Sequence, residues 1–259
     1  MYVRYHLNES LLNEARKVLK NRKNIFWIVG GSCSGKSTVG KTIASKFKML
    51  YYDLDEYIFD KYIRRYSKEL HPASREWFFA ENPLNWALSF SSWEENNEFN
   101  VALTVEQLSL FSEDVQEIDR DKAILVDGGI TNPAILARVL DAHQICCIKI
   151  EDDLCIRIWE DCKERQPMKE MILQLPSPQE KWSKFLDTNV LMNRQIETEC
   201  RENGIKILYR KDKTTVDDMA NEISTLFLKV ITEITGKVLI ELIRMNYYKI
   251  STKLFLNSP

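Results

Sequence analysis

The stretch that most constrains this chain is Ile25 to Thr42, IFWIVGGSCSGKSTVGKT. Ile25 to Val29 are apolar without interruption and predict a buried strand. Gly30-Gly31-Ser32-Cys33-Ser34-Gly35-Lys36-Ser37 then fits G-x-x-x-x-G-K-[ST] at every fixed position, with Thr38 following. Val39, Ile43, Ala44 and Phe47 recur at helical spacing. Strand, glycine loop and helix thus occur in the order that a phosphate cradle needs. Glycines allow a tight turn and bring N–H groups close to phosphate, and the helix N-terminus adds partial positive charge. The pattern predicts ATP or GTP binding, with Lys36 reaching the β- and γ-phosphates and the Ser37 hydroxyl on Mg²⁺. A Gly/Ser turn ahead of an ordinary helix is the plain alternative.

The rest of the composition narrows the class. The chain has 259 residues, 44% hydrophobic and 29% charged, which suits a single P-loop domain with insertions spanning 1–259. A net charge of −2 gives no reason to expect a nucleic-acid partner. The six cysteines form no CxxC pair and only three histidines are present, which argues against a zinc site or a disulfide framework. Cys33 lies inside the phosphate loop, where a bulky oxidised form would obstruct nucleotide, so a reducing cytoplasm fits. The first ten residues lack the apolar core of a signal peptide. No run of eighteen apolar residues indicates a membrane partner.

Along the chain, residues 9–22 predict a short amphipathic packing helix. Met49 to Leu54 reads as a second strand ending in Asp53-Leu54-Asp55. Strand alternation would put both carboxylates on one side, at the strand end where ligands bind in open α/β sheets. One could hold Mg²⁺ through water and the other could accept a proton from a substrate hydroxyl; helix-capping or solvated aspartates are the other reading. Residues 56–121 predict an inserted helical subdomain covering the acceptor site, with Pro72 and Pro83 breaking its connections and its many aromatics forming its own core. Arg75, or Arg64 and Arg65, could bind an anionic substrate or simply be solvated. Lys122 to Asp127 is a third strand of Walker B type, which puts Asp127 near Mg²⁺ or at an ordinary Asp-Gly turn. Gly128-Gly129 would let the backbone approach substrate.

Gln144 to Ile150 predicts a fourth strand. Residues 155–185 suit a lid: a helix bearing Arg157 and Arg165 that ends at Gln166-Pro167 and opens into a mobile loop through Pro176 and Pro178. A charged, solvent-facing helix is the alternative. Lys181 to Asn203 reads as a helix containing Arg194, and Ile205 to Tyr209 as a fifth strand, followed by a loop placed to edge the adenine. Residues 216–250 read as a C-terminal helical extension whose wide apolar arc must dock on its own sheet or form a homodimer contact.

Taken together, GGSCSGKST, the D-x-D after the second strand, the Gly-Gly after the third and R-x7-R-x-P in the lid region resemble the shikimate kinase branch of the P-loop small-molecule kinases. The resemblance spans roughly residues 25–65 and 120–225, and the third glycine of that family's Gly-Gly-Gly is Ile130 here. It implies a three-layer α/β P-loop NTPase fold. That fold has a five-stranded parallel sheet in the order second, third, first, fourth, fifth, with a helical acceptor-site insertion and a lid. It implies ATP and Mg²⁺ as cofactors and a small hydroxyl metabolite as acceptor. Asp53 would assist the metal, Asp55 would hold the acceptor hydroxyl, Arg165 would contact ATP, Arg157 would lie on the adenine side, and Arg194 would bind the acceptor. A nucleotide-binding regulator without an acceptor is the competing expectation.

Overall fold

The computed structural model describes residues 5–235, with side chains through residue 228. Five strands form one sheet: β1 (Ile25–Val29), β2 (Leu50–Asp53), β3 (Ile124–Asp127), β4 (Ile145–Ile150) and β5 (Lys206–Arg210). All neighbours run parallel, in the order β2-β3-β1-β4-β5. β1, β3 and β4 are buried throughout, because a central parallel strand covered on both faces has no polar side to show.

The side chains of β1 divide the molecule. Ile25, Trp27 and Val29 face a layer made by α1 (Glu9–Leu19), α6 (Trp93–Gln116), α7 (Pro133–Val139) and α10 (Pro178–Glu202). Phe26 and Ile28 face the opposite layer, α2 (Lys36–Phe47) and α11 (Val216–Thr235). This alternation yields the three layers. In α11, Met219, Ala220, Ile223 and Phe227 are buried against that face, and the Phe227 ring lies 4.9 Å from Phe26. The described part of the C-terminal extension therefore docks on its own sheet. Its continuation to residue 250 lies outside the described residues, and with it the alternative of a homodimer contact.

Two sequence expectations require correction. The segment 56–121 is not one inserted subdomain. α3 (Leu54–Asp60), α4 (Pro72–Phe78) and α5 (Pro83–Ala87) stand at the carboxyl end of the strands, but α6 belongs to the main layer. It is buried on nearly every side, with Phe111 edge-on to Trp27 at 5.0 Å. Pro72 and Pro83 sit in the first turns of α4 and α5, where a missing N–H costs nothing. The expected aromatic core is present: Phe90 and Phe99 pack with Ala73, Ala102 and Leu103 against Trp77 and Trp86.

Residues 155–185, expected to break from a helix into a mobile loop, are helical for most of their length. α8 (Asp152–Asp161) is followed by a 3-10 turn at Lys163–Arg165, then α9 (Gln166–Leu173), and α10 begins at Pro178. Pro167 opens α9 rather than ending α8. Ile172, Leu175, Trp159 and Trp182 form a core with Leu88, so residues 155–185 pack against the segment just after α5. Among the described residues, no helix is long and apolar enough to cross a membrane.

Candidate active site

The phosphate loop joins β1 to α2. Gly30 at φ +153° lies so close to β4 that a Cβ would stand 2.4 Å from the Ile148 carbonyl oxygen. Gly35 at φ +87° turns the chain into α2, and Cys33 holds φ +66° without being glycine. No side chain caps α2 and no acidic residue occupies its first turn, so its first N–H groups are left for an anion. The buried Ser34 hydroxyl has no partner within the protein. Gly31 packs on Asn193 of α10, which also donates to the Ile150 carbonyl at 3.0 Å. Arg210, the last residue of β5, donates from Nη1 to the Cys33 carbonyl at 2.7 Å.

Cys33 reports what surrounds the loop. Its thiol is held below the ordinary range first by a hydrogen bond with Cys155, against the opposing effect of burial. The charges of Arg165, Lys36 and Arg210 act in the same direction, so three cations from the turn before α9, the loop and β5 act on this thiol. Cys155 in turn is buried and donates to the Ser32 carbonyl at 3.5 Å. Arg165 stacks on Trp159, its Cζ 4.9 Å from the ring centre. Arg157 reaches Asp212 in the loop after β5 at 3.5 Å, which brings together the two segments expected on the adenine side.

The carboxylates at the sheet edge have distinct settings. Asp53 and Asp127 are register partners at the ends of β2 and β3. Asp127 is fully buried; Oδ1 accepts from the Tyr51 hydroxyl at 2.6 Å, while Oδ2 has no partner. Burial pushes its carboxyl above the ordinary range, and the nearby Ser37 and Tyr51 hydroxyls and Lys36 ammonium pull it back. A buried oxygen without a protein partner, on a carboxylate that the Ser37 hydroxyl also acts on, fits a Mg²⁺ site. Among the described residues no group of three His, Cys, Asp or Glu side chains could hold a metal ion by itself.

Asp53 and Asp55 do not share a strand. Asp53 ends β2 and caps α3, accepting from the Glu56 N–H at 3.3 Å, with Lys41 Nζ 3.8 Å from its other oxygen. Asp55 lies in the first turn of α3, and its Oδ1 accepts from the Gly129 N–H at 2.8 Å. The same-side arrangement expected from strand alternation is thus replaced by a helical step. Gly128 at φ +80° brings the chain so near that a Cβ there would stand 2.4 Å from Asp55 Oδ2.

The arginines named for the acceptor are engaged elsewhere in this state. Arg75 donates to the Tyr66 carbonyl at 3.1 Å and covers the Phe79 ring at 4.6 Å. Arg194 pairs with Asp152 at 2.7 Å and remains exposed. Arg64 meets Asp60 at 3.7 Å, and Arg65 meets Asp114 at 2.6 Å.

A parallel sheet in this order, a glycine loop between the central strand and α2, and a buried aspartate ending the adjacent strand define a three-layer P-loop fold. Within that class, the family model described as shikimate kinase matches residues 32–81, from the loop through the D-x-D to the end of α4. The fold is similar to a shikimate kinase from Acinetobacter baumannii solved in complex with shikimate. That pair shares 16% identity, with 86% of this chain and 99% of the other covered at a TM-score of 0.41. The Thermus thermophilus protein TT1252 is similar at 16% identity, with 82% and 97% covered and a TM-score of 0.43. No curated protein matches the sequence.

Proposed function

We propose that this chain is an ATP-dependent phosphotransferase that phosphorylates a hydroxyl of a small metabolite. The observation that carries the reading is the seat of Asp55. Its carboxylate rests on the Gly129 N–H, at the carboxyl edge of the sheet where the phosphate loop also opens. A nucleotide switch needs only a group that positions water. A kinase needs a fixed carboxylate facing the triphosphate, and the Gly128-Gly129 turn fixes this one.

Roles follow from position. The N–H groups of Gly30 to Thr38 and the Lys36 ammonium hold the phosphates. Ser37, Asp127 and Asp53 would hold the metal; bound Mg²⁺ would supply neutralisation of the charge spread over the phosphoryl oxygens. Asp55 orients the acceptor hydroxyl and takes its proton. Arg165, braced on Trp159, closes over the γ-phosphate, and Arg157 borders the base. Gly128, Gly129, Arg75 and Arg194 line the acceptor side, the two arginines exchanging present partners for substrate. Nearly all of the rate would come from positioning and electrostatics. The cysteines of the described residues are all free, including Cys33 in the loop, which supports a cytoplasmic setting.

The test is ATP consumption against a panel of hydroxyl metabolites, shikimate first because residues 32–81 match that family's model. Asp55→Asn keeps an oxygen for the Gly129 N–H and removes the charge. It should lower acceptor-dependent turnover by about 10²-fold or more, the usual worth of a positioned base. If no acceptor raises turnover above the water rate and the substitution leaves that rate unchanged, the kinase reading fails.

A further inference from the structure

The aspartate at the end of β3 is held by a residue that the phosphate-binding motif does not include. Tyr51, on β2, donates its phenol hydrogen to Asp127 Oδ1 at 2.6 Å, while the buried Oδ2 is left without a partner. One oxygen is thus pinned and the other presented. A carboxylate held this way offers Oδ2 as its readier ligand, since Oδ1 already accepts one hydrogen bond.

The phenol is itself braced, by observations independent of that hydrogen bond. Residue 40, in the middle of α2, is glycine, which helices disfavour because it adds backbone freedom and no packing. Its space is taken by the Tyr51 ring: a Cβ at residue 40 would stand 3.1 Å from Tyr51 Cε2. Lys41 Nζ lies 5.5 Å from the ring centre and also 3.8 Å from Asp53 Oδ2. Tyr51 and Asp53 share one face of β2, the face turned to α2. The helix that begins with the phosphate-binding residues is therefore cut to admit this one ring.

We infer that Tyr51 is the positioning residue of the metal site. Its phenol sets the rotamer of Asp127 so that Oδ2 faces Ser37 and the phosphates, and the Mg²⁺ dependence of nucleotide binding rests on it. The inference builds on the kinase reading only in requiring that nucleotide bind as a magnesium complex. Without the phenol, Oδ1 loses the donor that pins it, and the carboxylate is left to the Ser37 hydroxyl and Lys36 charge that already act on it. The metal then loses an oriented ligand while the loop N–H groups still grip phosphate.

The experiment is calorimetric titration of the full chain with ADP at a series of Mg²⁺ concentrations, including none. Tyr51→Phe keeps the ring and removes one oxygen. ADP affinity without Mg²⁺ should stay within about twofold of wild type, since the loop contacts are untouched. The Mg²⁺ concentration that half-saturates its effect should rise about 10- to 100-fold, the range for losing an orienting partner of a metal ligand. Gly40→Ala, which crowds the ring without touching the phenol, should shift it in the same direction. Equal Mg²⁺ sensitivity in wild type and Tyr51→Phe overturns the inference. So does loss of metal-free ADP binding in Tyr51→Phe, which would make the residue mere support for the loop. If Tyr51→Phe does not fold, Gly40→Ala decides, and an unchanged Mg²⁺ response there overturns the inference. A wild-type chain that binds ADP without any Mg²⁺ response contradicts the inference and leaves the acceptor test above to judge the kinase reading separately.

Discussion

Glu106 offers the sharpest test of how the segment between β2 and α6 is built. It sits on α6, almost wholly buried, and its two oxygens accept from the Ala73 and Ser74 N–H groups at 2.9 and 2.7 Å. These open α4, whose own N-cap residue, His71, supplies no side-chain cap. A carboxylate from a helix of the main layer thus caps the helix that carries Arg75. Glu106→Ala would leave two N–H groups unpaired where Ala73 and Ser74 are 1% and 0% exposed. At about 1–3 kcal/mol for each orphaned donor, the loss is about 2–6 kcal/mol, and water entering the gap brings it toward the lower end. Glu106→Gln can satisfy one N–H but turns a donor toward the other, so about 1–3 kcal/mol is expected. The assay is urea denaturation followed by circular dichroism, reading the midpoint at unchanged slope.

The pH dependence has a definite sign. Burial raises the Glu106 carboxyl above its ordinary value of 4.5, against the pull of the Ser74 and Ala73 donors. Between the unfolded and folded values the folded chain holds more protons, so this group's stabilisation is fullest below 4.5 and declines as pH rises through the raised value. The gap between wild type and Glu106→Gln should therefore narrow as pH rises. An alanine variant within about 0.5 kcal/mol of wild type, the ordinary scatter for surface changes, or a gap that widens with pH, would refute the reasoning.

Gly128→Ala places a methyl group 2.4 Å from Asp55 Oδ2 at a backbone angle of +80°. Acceptor turnover should fall about 10²-fold, as for a misplacement near 1 Å, while ADP affinity holds; unaltered turnover would show that Asp55 is not where the chemistry needs it. Phe227→Ala removes a buried ring that lies 4.9 Å from Phe26. It should cost about 3–5 kcal/mol in denaturant unfolding, and no measurable loss would mean that α11 is not docked on the sheet.

The frame was legible because burial on both faces leaves β1, β3 and β4 as unbroken apolar runs, and because the phosphate loop has a rigid pattern. Its strand order was not in the residues themselves and came through family resemblance. The D-x-D was misplaced because an aspartate that ends a strand and one that caps a helix look alike in sequence. Asp53 with Glu56 three residues on did resemble a helix-start signature, and it was the available clue. Prolines misled in the lid and the acceptor side, since Pro72, Pro83, Pro167 and Pro178 begin helices rather than open loops. α6 escaped placement because a helix buried nearly all round shows no polar stripe to orient it. Tyr51, Glu106 and Arg210 were invisible for one reason: their partners lie 76, 33 and 177 residues away. No local pattern can encode such meetings. For Tyr51, the odd glycine at position 40 was the single trace left in the sequence.

The position of α6 has an evolutionary corollary. Because that helix belongs to the frame, the short helices between β2 and α6 are confined to 54–92; on the proposed kinase reading, a change of alcohol would fall there and at Gly128, Gly129 and Arg194. On the same reading the phosphate grip falls to the loop, to Asp127 and to Arg157 and Arg165. A switch of alcohol would then leave that grip in place, provided that Gly128, Gly129 and Arg194 change together with the stretch before α6.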